Sequence, residues 1–192
     1  GATNPQRRAR VMMEFVRLLN RDMDKLAQTL SREHGKTVPD AKGDVQRGLE
    51  VVEFCIGAPH LLKGEFTDSA GPGIDMYSMR QPLGVVAAIS PFNVPLLKNA
   101  KLTSTPLATG NTVVLLTSEE APLIAHALAD IYREAGLPEG ALNIVTGFGE
   151  RIGDALTTHP LVKAVMFTGS SRVGRHIATL CGTHMKRVIL EL

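Results

Sequence analysis

Ala164-Val165-Met166-Phe167-Thr168-Gly169-Ser170-Ser171-Arg172-Val173-Gly174 is the stretch whose reading decides the fold. An apolar run of strand length meets a Thr-Gly-Ser turn, and helix-compatible residues follow. At such a strand–turn–helix junction the free N–H groups and the helix dipole favour an anion, a nucleotide phosphate among them. An ordinary turn with serine caps explains the helix start equally well. It does not explain why two further turns of this sequence have the same character.

Around this stretch, short apolar runs alternate with helical patterns. The spacing predicts strands over Leu83–Ile89, Thr112–Leu116, Leu142–Val145, Ala164–Phe167 and Val188–Leu190. Helices are expected near 95–108, 121–135, 150–158 and 171–181. Near-continuous apolar strands imply burial on both faces. The alternation implies an α/β fold, a parallel sheet with flanking helices. Ligands of such sheets lie beyond the carboxyl ends of the strands.

The first third reads differently. Asn4-Pro5 starts a helix, and apolar residues follow it at helical spacing to Leu30, with Gly35 as the C-cap. Pro39-Asp40 opens a second helix carrying Val45, Leu49, Val52, Phe54 and Ile56; Gly57 and Pro59 end it. Residues 64–75 read as a loop, and Asp75–Arg80 as an exposed strand.

The 192 residues are 44% apolar, enough to bury a core, and carry a net charge of +2 without Trp. Mixed charges and few aromatics exclude a base-stacking nucleic-acid surface or a membrane-surface binder. No apolar run reaches the roughly 18 residues of a membrane span. Arg7, Arg8 and Arg10 are read as the solvated face of a helix. Two distant cysteines suggest a reducing, cytoplasmic setting. Cys55 reads as core and Cys181 as structural. The six His lack metal-ligand spacing and are read as surface or satisfied residues, so no metal is expected.

Candidate chemistry sits at the predicted carboxyl ends. Asn93, between Pro91 and Pro95, is a rigidly placed amide of the kind an oxyanion hole uses, or a capping Asn. Gly147-Phe148-Gly149-Glu150-Arg151-Ile152-Gly153 resembles a dinucleotide fingerprint with one extra residue. Glu119 could bind ribose hydroxyls, or cap a helix with Ser118. Glu191 ends the last apolar run as a candidate general base.

Together these segments resemble the aldehyde dehydrogenase superfamily along nearly the whole chain. The carriers are Ser90-Pro91-Phe92-Asn93-Val94-Pro95, Leu107–Val114, Glu134-Ala135-Gly136-Leu137-Pro138 through Val145, Phe167–Ser170 and Leu190-Glu191-Leu192. The resemblance implies an incomplete Rossmann-like cofactor domain over 83–192. It implies N-terminal helices over 1–65 packed on that domain, and a loop with an oligomerisation-arm strand over 66–82. The segment that normally precedes Gly1 and the domain with the nucleophilic Cys would lie outside this chain, which alone should not complete the reaction. Implied partners are a small aldehyde and further copies, as a homodimer or homotetramer.

The implied chemistry is NAD(P)-dependent oxidation of an aldehyde to an acid. A Cys thiolate beyond Leu192 would form a thiohemiacetal whose oxyanion Asn93 holds. A thioester would follow, and Glu191 would activate water to release the acid. The resemblance puts Ile89, Ser90, Pro91 and Phe92 around the nicotinamide side, with Leu192 near it. Glu119 would bind ribose, Gly149 and Gly153 would flank the adenosine, Phe167, Gly169 and Ser170 would meet the pyrophosphate, and Val173 would lie near the adenine. NAD is the expected cofactor, with NADP as the alternative.

Three departures stand out. Leu116-Thr117-Ser118-Glu119 replaces the family's Lys-Pro-Ser-Glu, Lys101 is out of register with a family lysine, and Arg172 stands where an acidic residue is common. Residues 33–62 resemble the methylmalonate-semialdehyde branch, which transfers its acyl group to coenzyme A, whereas the second half resembles hydrolytic benzaldehyde and vanillin dehydrogenases. Glu191 tips the expectation towards water. A coenzyme A-acylating enzyme and a non-catalytic, degenerate member that binds a nucleotide or a partner remain the alternatives.

Overall fold

The computed structural model describes residues 3–192. In chain order the elements are helices α1 (Pro5–Arg21), α2 (Met23–His34), α3 (Val38–Ile56) and α4 (Ala58–Leu61), and strands β1 (Phe66–Gly71), β2 (Ile74–Tyr77) and β3 (Val85–Ile89). Then come α5 (Pro95–Ala108), β4 (Thr112–Leu116), α6 (Pro122–Glu134), β5 (Leu142–Val145), α7 (Gly149–Thr158), β6 (Val162–Thr168), α8 (Ser171–Thr183) and β7 (Arg187–Glu191).

The five strands from β3 onward form a parallel sheet in the order β5-β4-β3-β6-β7. The order reverses direction between β3 and β6, and that reversal opens a crevice at the carboxyl edge. Period-two alternation divides the sheet's side chains between two cores. Val86, Ala88, Val113, Leu115 and Met166 pack with helices α1, α2, α3, α5 and α6, while Ala87, Val165 and Phe167 pack with Ile177 and Cys181 of α8. The sheet is thus covered on both faces, as the uninterrupted apolar runs require.

On the first face Phe15 of α1 stacks on Tyr132 of α6 with ring centroids 3.6 Å apart. The fully buried Tyr132 hydroxyl lies 3.2 Å from Thr103 Oγ1. Helices α3 and α5 approach closely because Gly48 has no side chain. A Cβ there would lie 2.6 Å from Leu96 Cδ2 and 3.4 Å from Leu97 Cα.

The structure corrects four details of the sequence reading. The first helix breaks at Asp22, whose carboxylate is held by Arg21 at 2.7 Å, while Arg21 also reaches Glu134 at 2.5 Å. Residues 64–75 are not all loop: β1 pairs antiparallel with β2 across a Pro72-Gly73 turn, and Ser78–Arg80 fall outside the strand. Both strands of this hairpin are largely exposed; the exposed strand read over Asp75–Arg80 overlaps β2, whereas Phe66–Gly71 buries no face that would mark β1. Phe54 lies 70% exposed on α3 rather than on its buried face. Arg8 is half-buried, its Nε donating to the Ala108 carbonyl at 2.8 Å, so only its neighbours Arg7 and Arg10 are solvated. Among the described residues, no helix is long and apolar enough to cross a membrane.

Gly48→Val should lower unfolding free energy by about 1–3 kcal/mol, because the buried Leu96 must move or the helices must part. A denaturant titration reads this; an unchanged midpoint would show that the contact is not tight.

Candidate functional site

The carboxyl ends of β3, β4 and β6 and the starts of α7 and α8 enclose a cleft of about 940 Å³. Apolar Ile89, Leu116, Phe167, Val173 and Ile177 line it, with Glu119 at the end of β4 and Arg172 in the first turn of α8. Phe148, Gly149, Arg151 and Gly153 bring α7 to its rim, and Arg151 lies over the Phe148 ring at 5.7 Å. Gly147 makes the turn into α7 at φ 145°, where a Cβ would lie 2.6 Å from Ile152 Cδ1. On the rim Asp154 and His176 meet at 2.8 Å.

Of the residues singled out from sequence, Ile89, Glu119, Gly149, Gly153, Phe167 and Val173 line this one cleft. Ser90, Pro91 and Phe92 continue from the end of β3, beside Ile89. The Ser90 Oγ is buried with no hydrogen-bond partner among the described residues, an orphaned polar atom that a ligand group would satisfy. Gly169 and Ser170 form the turn from β6 into α8. The Gly169 N–H donates to the Glu191 carbonyl at 3.1 Å, and Ser170 Oγ accepts from the Val173 N–H at 3.4 Å. The Phe167 ring lies against Gly169, 2.5 Å from where a Cβ would stand. Leu192 does not line the cleft; its side chain lies over Gly174 of α8.

Ser118 and Glu119 do not cap α6. That helix takes its cap from far away: the Glu33 carboxylate accepts from the Leu123 and Ile124 N–H groups at 2.5 and 3.1 Å.

Asn93 is exposed, and its backbone carbonyl accepts from Lys36 Nζ at 3.2 Å. Glu191 does not stand free. Lys98 Nζ donates to its Oε1, and Lys101 Nζ to its Oε2 at 2.9 Å. Lys101, out of register for a ribose contact, therefore serves the carboxylate instead. Lys98 carried no sequence signal beyond its place one helical turn before Lys101, although i, i+3 spacing does put both on one face of α5. The two ammonium groups pull the Glu191 carboxyl from an ordinary 4.5 down to about 2.

Neither cysteine is placed as a nucleophile. Cys55 is buried with its Sγ 3.4 Å from Ser104 Oγ. Cys181 is buried, and desolvation pushes its thiol up against the weaker opposing pull of Lys186. His34 is neither surface nor satisfied. Its ring stacks on Phe92 at 6.1 Å, and both ring nitrogens are buried without a partner among the described residues.

A family model described as "Aldehyde dehydrogenase family" matches residues 1–192. The chain belongs to the aldehyde dehydrogenase family. Malonate-semialdehyde dehydrogenase 1 of Geobacillus thermodenitrificans is 42% identical over 95% of this chain and 37% of its own length. A Dictyostelium discoideum relative, named a methylmalonate-semialdehyde/malonate-semialdehyde dehydrogenase (acylating), is 40% identical over 97% of this chain and 35% of its own. A crystal structure from Sinorhizobium meliloti 1021, described as a methylmalonate-semialdehyde dehydrogenase complexed with NAD, superposes with a TM-score of 0.95. It is 52% identical and covers 98% of this chain, which spans 38% of it. Similarity to the semialdehyde branch therefore extends well beyond residues 33–62.

Because the folded pKa of Glu191 lies below its ordinary value, the two lysine contacts stabilise the fold above about pH 4.5, and that contribution is lost as pH falls through about 2. Carbon-13 NMR of the Glu191 carboxyl should give a midpoint near 2, returning towards 4.5 in the Lys98→Met/Lys101→Met variant. An ordinary midpoint in the unsubstituted chain would contradict the paired geometry.

Proposed function

We propose that this chain is the NAD-binding part of an enzyme that oxidises a small aldehyde, with its nucleophile outside the chain. The carrying observation is the cleft at the switch point between β3 and β6, where apolar walls, one ribose-competent carboxylate and a helix N-terminus converge. The donor set suits a dinucleotide. Ile89, Leu116, Phe167 and Val173 offer flat apolar contacts to the two ring ends, and Glu119 would accept from ribose hydroxyls. The α8 N-terminus and Arg172 would face the negative middle, and the orphaned Ser90 Oγ would take one amide contact. NAD, when bound, supplies the hydride acceptor. A carboxylate at Glu119 repels a 2′-phosphate, so NAD is preferred over NADP.

The chain's own residues then do three things. Asn93 donates to the oxyanion formed when the thiolate attacks the aldehyde carbon. The floor of the cleft keeps water from the reacting centre. Glu191 stays ionised at neutral pH. A carboxylate held near pKa 2 is a weak proton acceptor, since general bases work best with a pKa near the operating pH. This lysine-bound state favours a second reading of the acyl acceptor, in which a thiol such as coenzyme A, rather than water activated by Glu191, releases the acyl group. The semialdehyde relatives point the same way.

NADH formation by the whole enzyme, given malonate semialdehyde and NAD with and without coenzyme A, tests both readings. Reduction that is strongly accelerated by coenzyme A, with an acyl-coenzyme A product, is expected. Equal rates with free acid as product would restore Glu191 as the deacylating base. No NADH in either arm would contradict the oxidation itself and leave a non-catalytic role.

A further inference from the structure

We propose that Lys36 and Asp44 form a buried strut that positions Asn93, making them positioning residues for the oxyanion donor; this rests on the reading of Asn93 given above. Lys36 lies in the turn between α2 and α3, and Asp44 on the buried face of α3. Their side chains are only 12% and 2% exposed and meet at 3.2 Å. From this pair, contacts reach Asn93 and the first turn of the helix that follows it. Lys36 Nζ also donates to the Asn93 carbonyl at 3.2 Å, and Asp44 Oδ1 accepts the Leu97 N–H at 2.8 Å.

The second contact meets a specific need. Helix α5 begins after Val94, which makes no side-chain cap, and Pro95 in the first turn has no N–H to donate. Asp44, 53 residues away in sequence, serves as the missing cap and adds a negative charge at the positive end of the helix. The first contact fixes the peptide leaving Asn93. Pro91 and Pro95 restrict the flanking backbone, and Lys36 ties down the carbonyl between them. Gly48, one turn further along α3, lets Leu96 seat against the same helix. Asn93 and the first turn of α5 are therefore held at three points from α3 and the turn before it, rather than by their own sequence.

A buried ion pair adds little net stability over a well-packed apolar pair, because desolvation offsets the attraction. What this pair supplies is geometry. Misplacing a catalytic group by about 1 Å can lower a rate by about a hundredfold, and a single exposed amide on a loop has no packing of its own to hold it.

Two measurements test the strut. In this chain, Lys36→Met should shift the carbon-13 resonance of the Asn93 carbonyl, and Asp44→Leu, which removes the acceptor, should speed hydrogen exchange at the Leu97 amide. The Lys36→Met/Asp44→Leu variant leaves no unpaired buried charge and should show both changes while remaining folded. Unchanged signals in that folded variant would overturn the proposal. In the whole enzyme, Lys36→Met should lower kcat about 10- to 100-fold with KM for NAD unchanged, and should cost nothing further in an Asn93→Ala background. Losses that multiply in the double variant, or full activity of Lys36→Met beside an impaired Asn93→Ala, would overturn it. Full activity of Asn93→Ala with the carbonyl shift still present would instead refute Asn93 as oxyanion donor and leave the strut standing.

Discussion

Burial of β3 on both faces is the constraint from which the site follows. Val86, Ala87 and Ala88 are each almost fully buried, and β3 is hydrogen-bonded to parallel partners on both sides. A central strand so placed cannot slip by one residue without exchanging the contents of two cores. Its register sets Ile89 opposite Leu116 on one side and Phe167 on the other. These three side chains form the apolar floor of the cleft. The chain leaves the β3 end into the Ser90–Pro95 segment and the β6 end into the Thr-Gly-Ser turn, so both functional loops inherit their positions from one ladder.

Electrostatics then acts on a scaffold that packing has already fixed. The charged contacts at the site are few and long-range in sequence. Lys36 and Asp44 reach the Asn93 segment from the helical layer, Glu33 caps α6, and two lysines on α5 hold the Glu191 carboxylate. Each of these joins elements far apart in sequence: the N-terminal helices to the starts of α5 and α6, and α5 to the end of β7. The helices over the first third thus do more than cover apolar surface: Glu33, Lys36 and Asp44 bring charged contacts to the Asn93 loop and to the starts of α5 and α6.

This division explains what the sequence disclosed. The five sheet strands and four intervening helices were legible because an apolar run, a turn and a helical period are local signals. Phe167–Ser170 and Gly147–Gly153 were legible for the same reason. Of the hairpin over 66–77 only the second strand was legible, as part of Asp75–Arg80; the first was not, since Phe66–Gly71 buries no face. The break at Asp22 was hidden because the apolar spacing from Leu19 to Leu26 keeps helical phase across it. Lys98 and the Lys36–Asp44 pair were out of reach because their partners lie 93 and 57 residues away at Glu191 and Asn93. Glu191 looked like a free base in sequence; only the fold brings the lysines that make it a weak one. The chain spans about 37% of the length of the first curated relative it matches, and the activity proposed belongs to the whole protein.

The central claim is that the cleft at the β3/β6 switch point binds NAD, and calorimetric titration tests it most directly. NAD should bind this chain at one saturable site. Leu116→Lys, which restores a charged donor at the end of β4, should tighten binding by about 1.5–3 kcal/mol, or roughly 10- to 150-fold. Absence of saturable binding by both chains, each shown to be folded, would contradict the account.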